Sequence, residues 1–148
     1  MRLSHNKAET DAISATFAMK FAGGEQDEVI TATLRYNVLE PFAVTASFAM
    51  EDAPAVQWVM ARDLLREGVA LPTGMGDVRI SPDERGMFIE LHSPSGRAVL
   101  QGPLEPVVDF VARMYHAVPE HREMEFFSVD AELDLLADMY RPDNGLQN

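Results

Sequence analysis

The chain has 148 residues, 47% of them apolar, with 24 acidic side chains against 12 basic ones and a formal net charge of -12. That length can bury one core without staples, and the absence of cysteine excludes disulfides, thiolate metal sites and cysteine nucleophiles. The charge opposes nucleic acid and anionic lipid surfaces, which need clustered Lys and Arg, but it suits solubility and steering toward basic patches on other proteins.

Residues 1–10 carry some positive charge but lead into no apolar segment of signal-peptide type, and no apolar run reaches the roughly 18–20 residues of a membrane span. A cytoplasmic protein without membrane insertion is expected. Period-two alternation then begins, with Ile13, Ala15, Phe17, Met19 and Phe21 on one face of a long first strand. Residues 23–27 form a turn, and a second strand alternates Ile30, Ala32, Leu34 and Tyr36 with Val29, Thr31, Thr33 and Arg35. Beyond Glu40-Pro41, a third strand sets Phe42, Val44, Ala46, Phe48 and Met50 on one face against Ala43, Thr45, Ser47 and Ala49. After Glu51-Asp52-Ala53-Pro54, the residues Val56, Trp58 and Met60 suggest a fourth, so residues 12–61 read as an antiparallel meander.

Residues 63–68 predict a short helix, with Asp63 as its capping acid and Gly68 as its stop. Strands resume at 77–80, 87–91 and 97–100, punctuated by Ser81-Pro82-Asp83 and Ser93-Pro94-Ser95-Gly96. From Pro103 the period turns helical. Over residues 104–118, Glu105, Asp109, Arg113 and His116 form a narrow polar stripe, while Leu104, Val108, Val111 and Tyr115 line an apolar face that Val107, Phe110 and Met114 widen beyond what one sheet would cover. Its second cover would be the other sheet, a neighbouring subunit or some of each. Pro119 stops this helix, and another begins near Ser128 with Val129, Leu133, Leu136, Ala137 and Tyr140 on one side and Asp130, Asp134 and Asp138 on the other. Residues 142–148 read as a flexible C-terminal tail on a single domain spanning 1–141, of α+β class with about seven strands.

No candidate catalytic or metal site survives a plainer reading. His5, His92, His116 and His121 lie in no nucleophile motif, and His116 and His121 are separated by Pro119, which disfavours a metal pair. The acids at 130, 134 and 138 lack the loop and backbone oxygens that calcium prefers and read as a solvated helix face. Gly74-Met75-Gly76 leads into a strand, where a phosphate loop needs a helix N-terminus, so it reads as a tight turn. Trp58 is most simply a core aromatic, with ligand stacking as the lesser option. The expectation is a binding protein with no catalytic residue and no cofactor. Leu64, Leu65, Val107, Phe110 and Met114 are the candidates for oligomer or partner contact.

Five blocks carry a more specific signal: Thr33-Leu-Arg-Tyr-Asn37, Pro41-Phe-Ala-Val44, Trp58-Val-Met-Ala-Arg-Asp-Leu-Leu65, Pro72-Thr-Gly-Met-Gly-Asp-Val-Arg79 and Leu91-His-Ser-Pro-Ser-Gly96. They resemble, in order, the SsgA-like sporulation and cell-division proteins of actinobacteria. Leu100-Gln-Gly-Pro103, Phe110-Val-Ala-Arg113, Ala117-Val-Pro119 and Val129-Asp-Ala-Glu-Leu133 extend the likeness over residues 29–137. Met60 stands where the family pattern has an aromatic residue, and Ile80-Ser81-Pro82 replaces a Val-Trp-Pro-like run. The resemblance implies a trimer of whirly-like fold, with two antiparallel β-sheets packed with helices. It also implies a non-catalytic role in septum formation through the tubulin-like division protein FtsZ and other divisome or SsgA-like proteins, concentrated at the division septum. Whirly-like folds often bind single-stranded nucleic acid. That competing function needs a basic groove with interleaved aromatics, which this sequence lacks.

Overall fold

The computed structural model describes residues 12–23 and 28–139. The expected tail at 142–148, Tyr140 and His5 lie outside the described residues.

Period-two burial builds the first half of the molecule. In β1 (Ala12–Phe21), Phe17 and Met19 point inward, and β2 (Ile30–Asn37) alternates strictly, burying Ile30, Ala32, Leu34 and Tyr36. β3 (Ala43–Met50) buries Val44, Ala46 and Phe48, while β4 (Ala53–Ala61) is exposed through Gln57 and turns inward only toward its end, where Met60 is buried. Successive antiparallel pairing joins these strands as expected.

Helix α1 (Arg62–Gly68) follows β4 directly and buries Leu64 and Leu65. Asp63 is not its cap: the N-cap is Ala61 and makes no side-chain cap, and Asp63 instead sits in the first turn. The second half is a meander of β5 (Thr73–Met75), β6 (Val78–Asp83), β7 (Gly86–Ser93) and β8 (Gly96–Gly102). The tight turn expected over Gly74-Met75-Gly76 is confined to Gly76 and Asp77, since Gly74 and Met75 belong to β5; Gly76 has φ 61°, a conformation most side chains avoid. β5, absent from the expected strands, pairs only as far as Thr73 with Ile80. Beyond that pair β6 is an edge, which is why it runs on through Pro82 where the sequence suggests a stop.

The two expected sheets of about seven strands are one curled antiparallel sheet of eight, in the order β4-β3-β2-β1-β8-β7-β6-β5. β1 is ten residues long and β2 eight, so the end of β1 overhangs its partner. There Lys20 and Phe21 pair with Gln101 and Leu100 of β8, and the Ala22 N–H donates to the Val99 carbonyl at 2.9 Å. Two residues of overlap thus join the halves at a corner.

Helix α2 (Glu105–Ala117) packs against β1 and α1, and the last described helix, α3 (Val129–Met139), follows a single 3-10 turn at Glu123–Glu125. Glu105, Asp109, Arg113 and His116 are exposed on α2 as the polar stripe predicts. The chain's own sheet and α1 cover Val107, Phe110 and Met114, each at 0% exposure, but Val108, expected on the same apolar face, stays exposed at 45%. Burying such side chains contributes about 1.5–3 kcal/mol apiece.

Candidate functional site

Arg62 is a buried charge, 1% exposed at the start of α1. Its Nη1 donates to the Val118 carbonyl at 2.8 Å and to Tyr36 Oη at 3.2 Å, and its Nη2 donates to Glu123 Oε2 at 2.8 Å. Nε has no hydrogen-bond partner. The guanidinium carbon lies 3.8 Å from the centre of the Tyr115 ring, a cation–π contact in a desolvated setting. Tyr36 passes the network on by donating to the Pro41 carbonyl at 3.0 Å. Burial pushes the Tyr36 hydroxyl up to about 12, against the lowering effect of Arg62.

Around this centre the partly exposed groups repeat the theme. Tyr115 Oη donates to Asp63 Oδ1 at 2.6 Å, and Arg66 pairs with Glu120 at 2.9 Å. Burial first, then the bond to Asp63, holds the Tyr115 hydroxyl protonated well above its ordinary range. Arg62, Asp63 and Arg66 therefore clamp α1 to the end of α2 and to the segment beyond it. His121 completes the reversal there at φ 71° with an exposed side chain, an uncommon conformation that His tolerates better than most residues. The clamp fixes where α3 starts. Apart from Arg62 Nε, these donors and carboxylates pair with one another and tie the elements together.

α3 is held at its beginning by the Ser128 N–H donating to the Leu39 carbonyl at 3.0 Å and by the ring of Phe127, 6.2 Å from that of Phe42. Leu135 turns toward the outer face of the sheet, where it lines a cleft of about 560 Å³ with Arg35, Thr45, Gln57 and Val59. Val129, Leu133 and Leu136 stay in the open at 60%, 56% and 47% exposure, and Leu39 and Phe42 near the helix start are also exposed. The apolar side expected to seat this helix is thus uncovered among the described residues, and Asp130 and Asp134 are exposed as expected.

The five sequence-derived contact candidates lie elsewhere. Leu64, at 2%, Leu65 and the three residues of α2, all at 0%, belong to the core of this chain, so another protein reaches their neighbours and not these side chains. His92, expected to be solvated, is half-buried and shares Glu90 with Arg97, at 2.9 Å and 3.1 Å respectively. His116 and His121 are exposed. Trp58 packs against the core but remains half-buried. Sequence reasoning missed Arg62. Its only local sign is a position three residues before Leu65, and with Asp63, Arg66 and Glu67 in the same short helix that position does not mark it as buried.

Among the described residues no helix is long and apolar enough to cross a membrane. Residues 30–123 match the family model described as Streptomyces sporulation and cell division protein, SsgA. A sporulation-specific cell division protein SsgB of Frankia casuarinae is 36% identical, covering 85% of this chain and 92% of its own length. The Streptomyces coelicolor SsgB is 43% identical over 70% of this chain and 79% of its own length. A solved SsgA-like sporulation-specific cell division protein from Thermobifida fusca superposes with a TM-score of 0.72 at 33% identity, covering 83% of this chain and 93% of the other. A solved SsgB, described under mutations that correlate to longitudinal cell division during sporulation of Streptomyces coelicolor, gives 0.72 at 36%, covering 78% and 95%.

Proposed function

Because the chain belongs to the SsgA-like family of sporulation and cell division proteins, we propose that it is a non-catalytic scaffold of sporulation-type septation. In this reading it helps to localise or recruit FtsZ to division sites by direct contact. It works in the cytoplasm, concentrated at the septum, as a trimer that also meets other SsgA-like or divisome proteins. The relatives' names support the process, and the resemblance of the sequence blocks supports the partner.

The observation that carries the contact reading is the uncovered side of α3. Val129, Leu133 and Leu136 form an apolar stripe on a helix whose start is fixed by the Arg62 clamp and the Ser128–Leu39 bond. A helix presenting anchors at this spacing suits a groove on another protein. The net charge of -12 steers it toward basic surfaces. The nucleic-acid alternative gains no support from the relatives and is opposed by that same charge.

Co-sedimentation with FtsZ polymers tests the reading. The full chain is expected to pellet with polymer, and Leu133→Asp, at an exposed position, is expected to keep the same Tm while binding at least about tenfold more weakly. A wild-type chain left entirely in the supernatant would sink recruitment by direct contact.

A further inference from the structure

Among the described residues β4 ends the sheet, with β3 on one side and no strand on the other. Its nine residues, Ala-Pro-Ala-Val-Gln-Trp-Val-Met-Ala, contain no charge, and Ala53–Gln57 are exposed. A bare strand edge offers a row of N–H and C=O groups to any passing strand, and soluble proteins normally blunt it with lysine, inward charges, bulges or cover. Here Pro54 and a register shift near Met50 interrupt only the beginning. Past that interruption, Val56 at 54% exposure and Gln57 are unprotected, while the strand turns inward from Trp58 to Ala61.

The space beside that edge is shaped. A cleft of about 500 Å³ has Val56 and Trp58 of β4 on one wall and Leu91 and Ala98 of β7 and β8 on the other. A smaller one of about 240 Å³, lined by Val59, Ala61, Asp77 and Val78, continues along β4 to α1. The first is within the roughly 300–1,000 Å³ of known ligand pockets. The result is an apolar seam closed at α1 and open at the β3–β4 turn, where Glu51 and Asp52 are exposed. Arg97, the basic residue of the far wall, is already paired with Glu90 at 3.1 Å.

We propose that this seam receives an extended segment of another protein as an antiparallel strand added to β4, apolar at alternate positions and basic at its C-terminal end. Antiparallel pairing, which every strand of this sheet already uses, brings that end to Glu51 and Asp52. Main-chain bonds along the edge supply affinity, and alternate side chains entering the cleft supply selectivity. With β4 on one wall and β7 and β8 on the other, and acids at its open end, the seam suits a lone basic-ended strand better than the edge of a second copy of this acidic chain. The inference deepens the protein-contact reading above, on which it rests, by stating the chemistry of one contacting segment.

Trp58, the only tryptophan of the chain, lines the seam and reports on it directly. Two peptides serve as probes, each alternating Val and Thr over ten residues, one ending in Lys-Lys and the other in Glu-Glu. The Lys-ended peptide is expected to shift Trp58 emission saturably and to slow amide hydrogen exchange across residues 53–61, with the Glu-ended peptide at least about tenfold weaker. Val56→Lys, at an exposed site, is expected to leave Tm unchanged and to weaken the Lys-ended peptide by at least about tenfold. Equal affinity for both peptides, unaltered exchange in β4, or indifference to Val56→Lys overturns the proposal. So does self-association of the full chain that Val56→Lys abolishes, which would assign the edge to a second copy. FtsZ pelleting is scored separately: a chain that pellets but ignores both peptides loses this proposal alone, and one that binds the Lys-ended peptide without pelleting loses only the FtsZ reading.

Discussion

Protein takes the place of water around a guanidinium at 1% exposure: two tyrosine rings, the carbonyl of Val118 and the carboxylate of Glu123. Buried ion pairs contribute little net stability against an apolar replacement, but removing one partner is costly, so Arg62→Ala should lose roughly 3–5 kcal/mol and Arg62→Met less. Glu123 gives the pair a pH signature. Its carboxyl is held below the ordinary range, first by the hydrogen bond from Arg62 and against its own desolvation. A folded-state value below the unfolded one means that the stabilisation is complete above about pH 4.3 and disappears as pH falls through the folded value. Denaturant titrations between neutral and acid pH should therefore show wild type losing more stability than Glu123→Gln, and parallel curves would contradict the pair's role. None of this was legible at the residue level, because Glu123 is 61 positions from Arg62 and a lone arginine carries no mark of burial.

Elements were far more readable, for a physical reason. A strand with one buried face must alternate, and Ile30, Ala32, Leu34 and Tyr36 do so without exception. The short helix was found too, but its punctuation was misread. Asp63 is spent on Tyr115 instead of on a cap, and Gly68 is buried inside the helix end where tertiary contact, not backbone freedom, demands it. A Cβ placed on Gly68 would lie 2.6 Å from both Cβ and Cγ2 of Ile80, a β-branched side chain fixed on β6. Alanine gains about 1 kcal/mol of helix propensity over glycine, whereas overpacking costs about 1–3 kcal/mol, and an unyielding neighbour favours the larger figure. Gly68→Ala should lower Tm, and since Ile80→Ala is itself costly in the core, the double variant should lose less stability than the two single losses added together; additive effects would mean that the two residues do not meet.

At the scale of the whole molecule, the fold class, the meanders and the family were legible, while the joining of both halves into one sheet was not. That join rests on Lys20 and Phe21 pairing with Gln101 and Leu100, contacts about eighty residues apart that leave no local pattern. The same blindness affected the helix at 104–118: its crowded face correctly announced two covers, but sequence alone could not say that both come from this chain. Phe110 and Met114 therefore argue for the core and no longer for a subunit contact. What α2 leaves outside is Val108, at 45% exposure, and what α3 leaves outside is the stripe around Leu133. If α2 faces a neighbouring subunit and α3 faces FtsZ, the two roles should separate. Light scattering at micromolar concentration should give about three times the 16.4 kDa of one chain. Val108→Asp should lower that mass and Leu133→Asp should not, since a closed ring needs its own heterologous contact at every interface. A monomeric wild type would remove the trimer outright, and a mass that falls only with Leu133→Asp would transfer the subunit contact to α3.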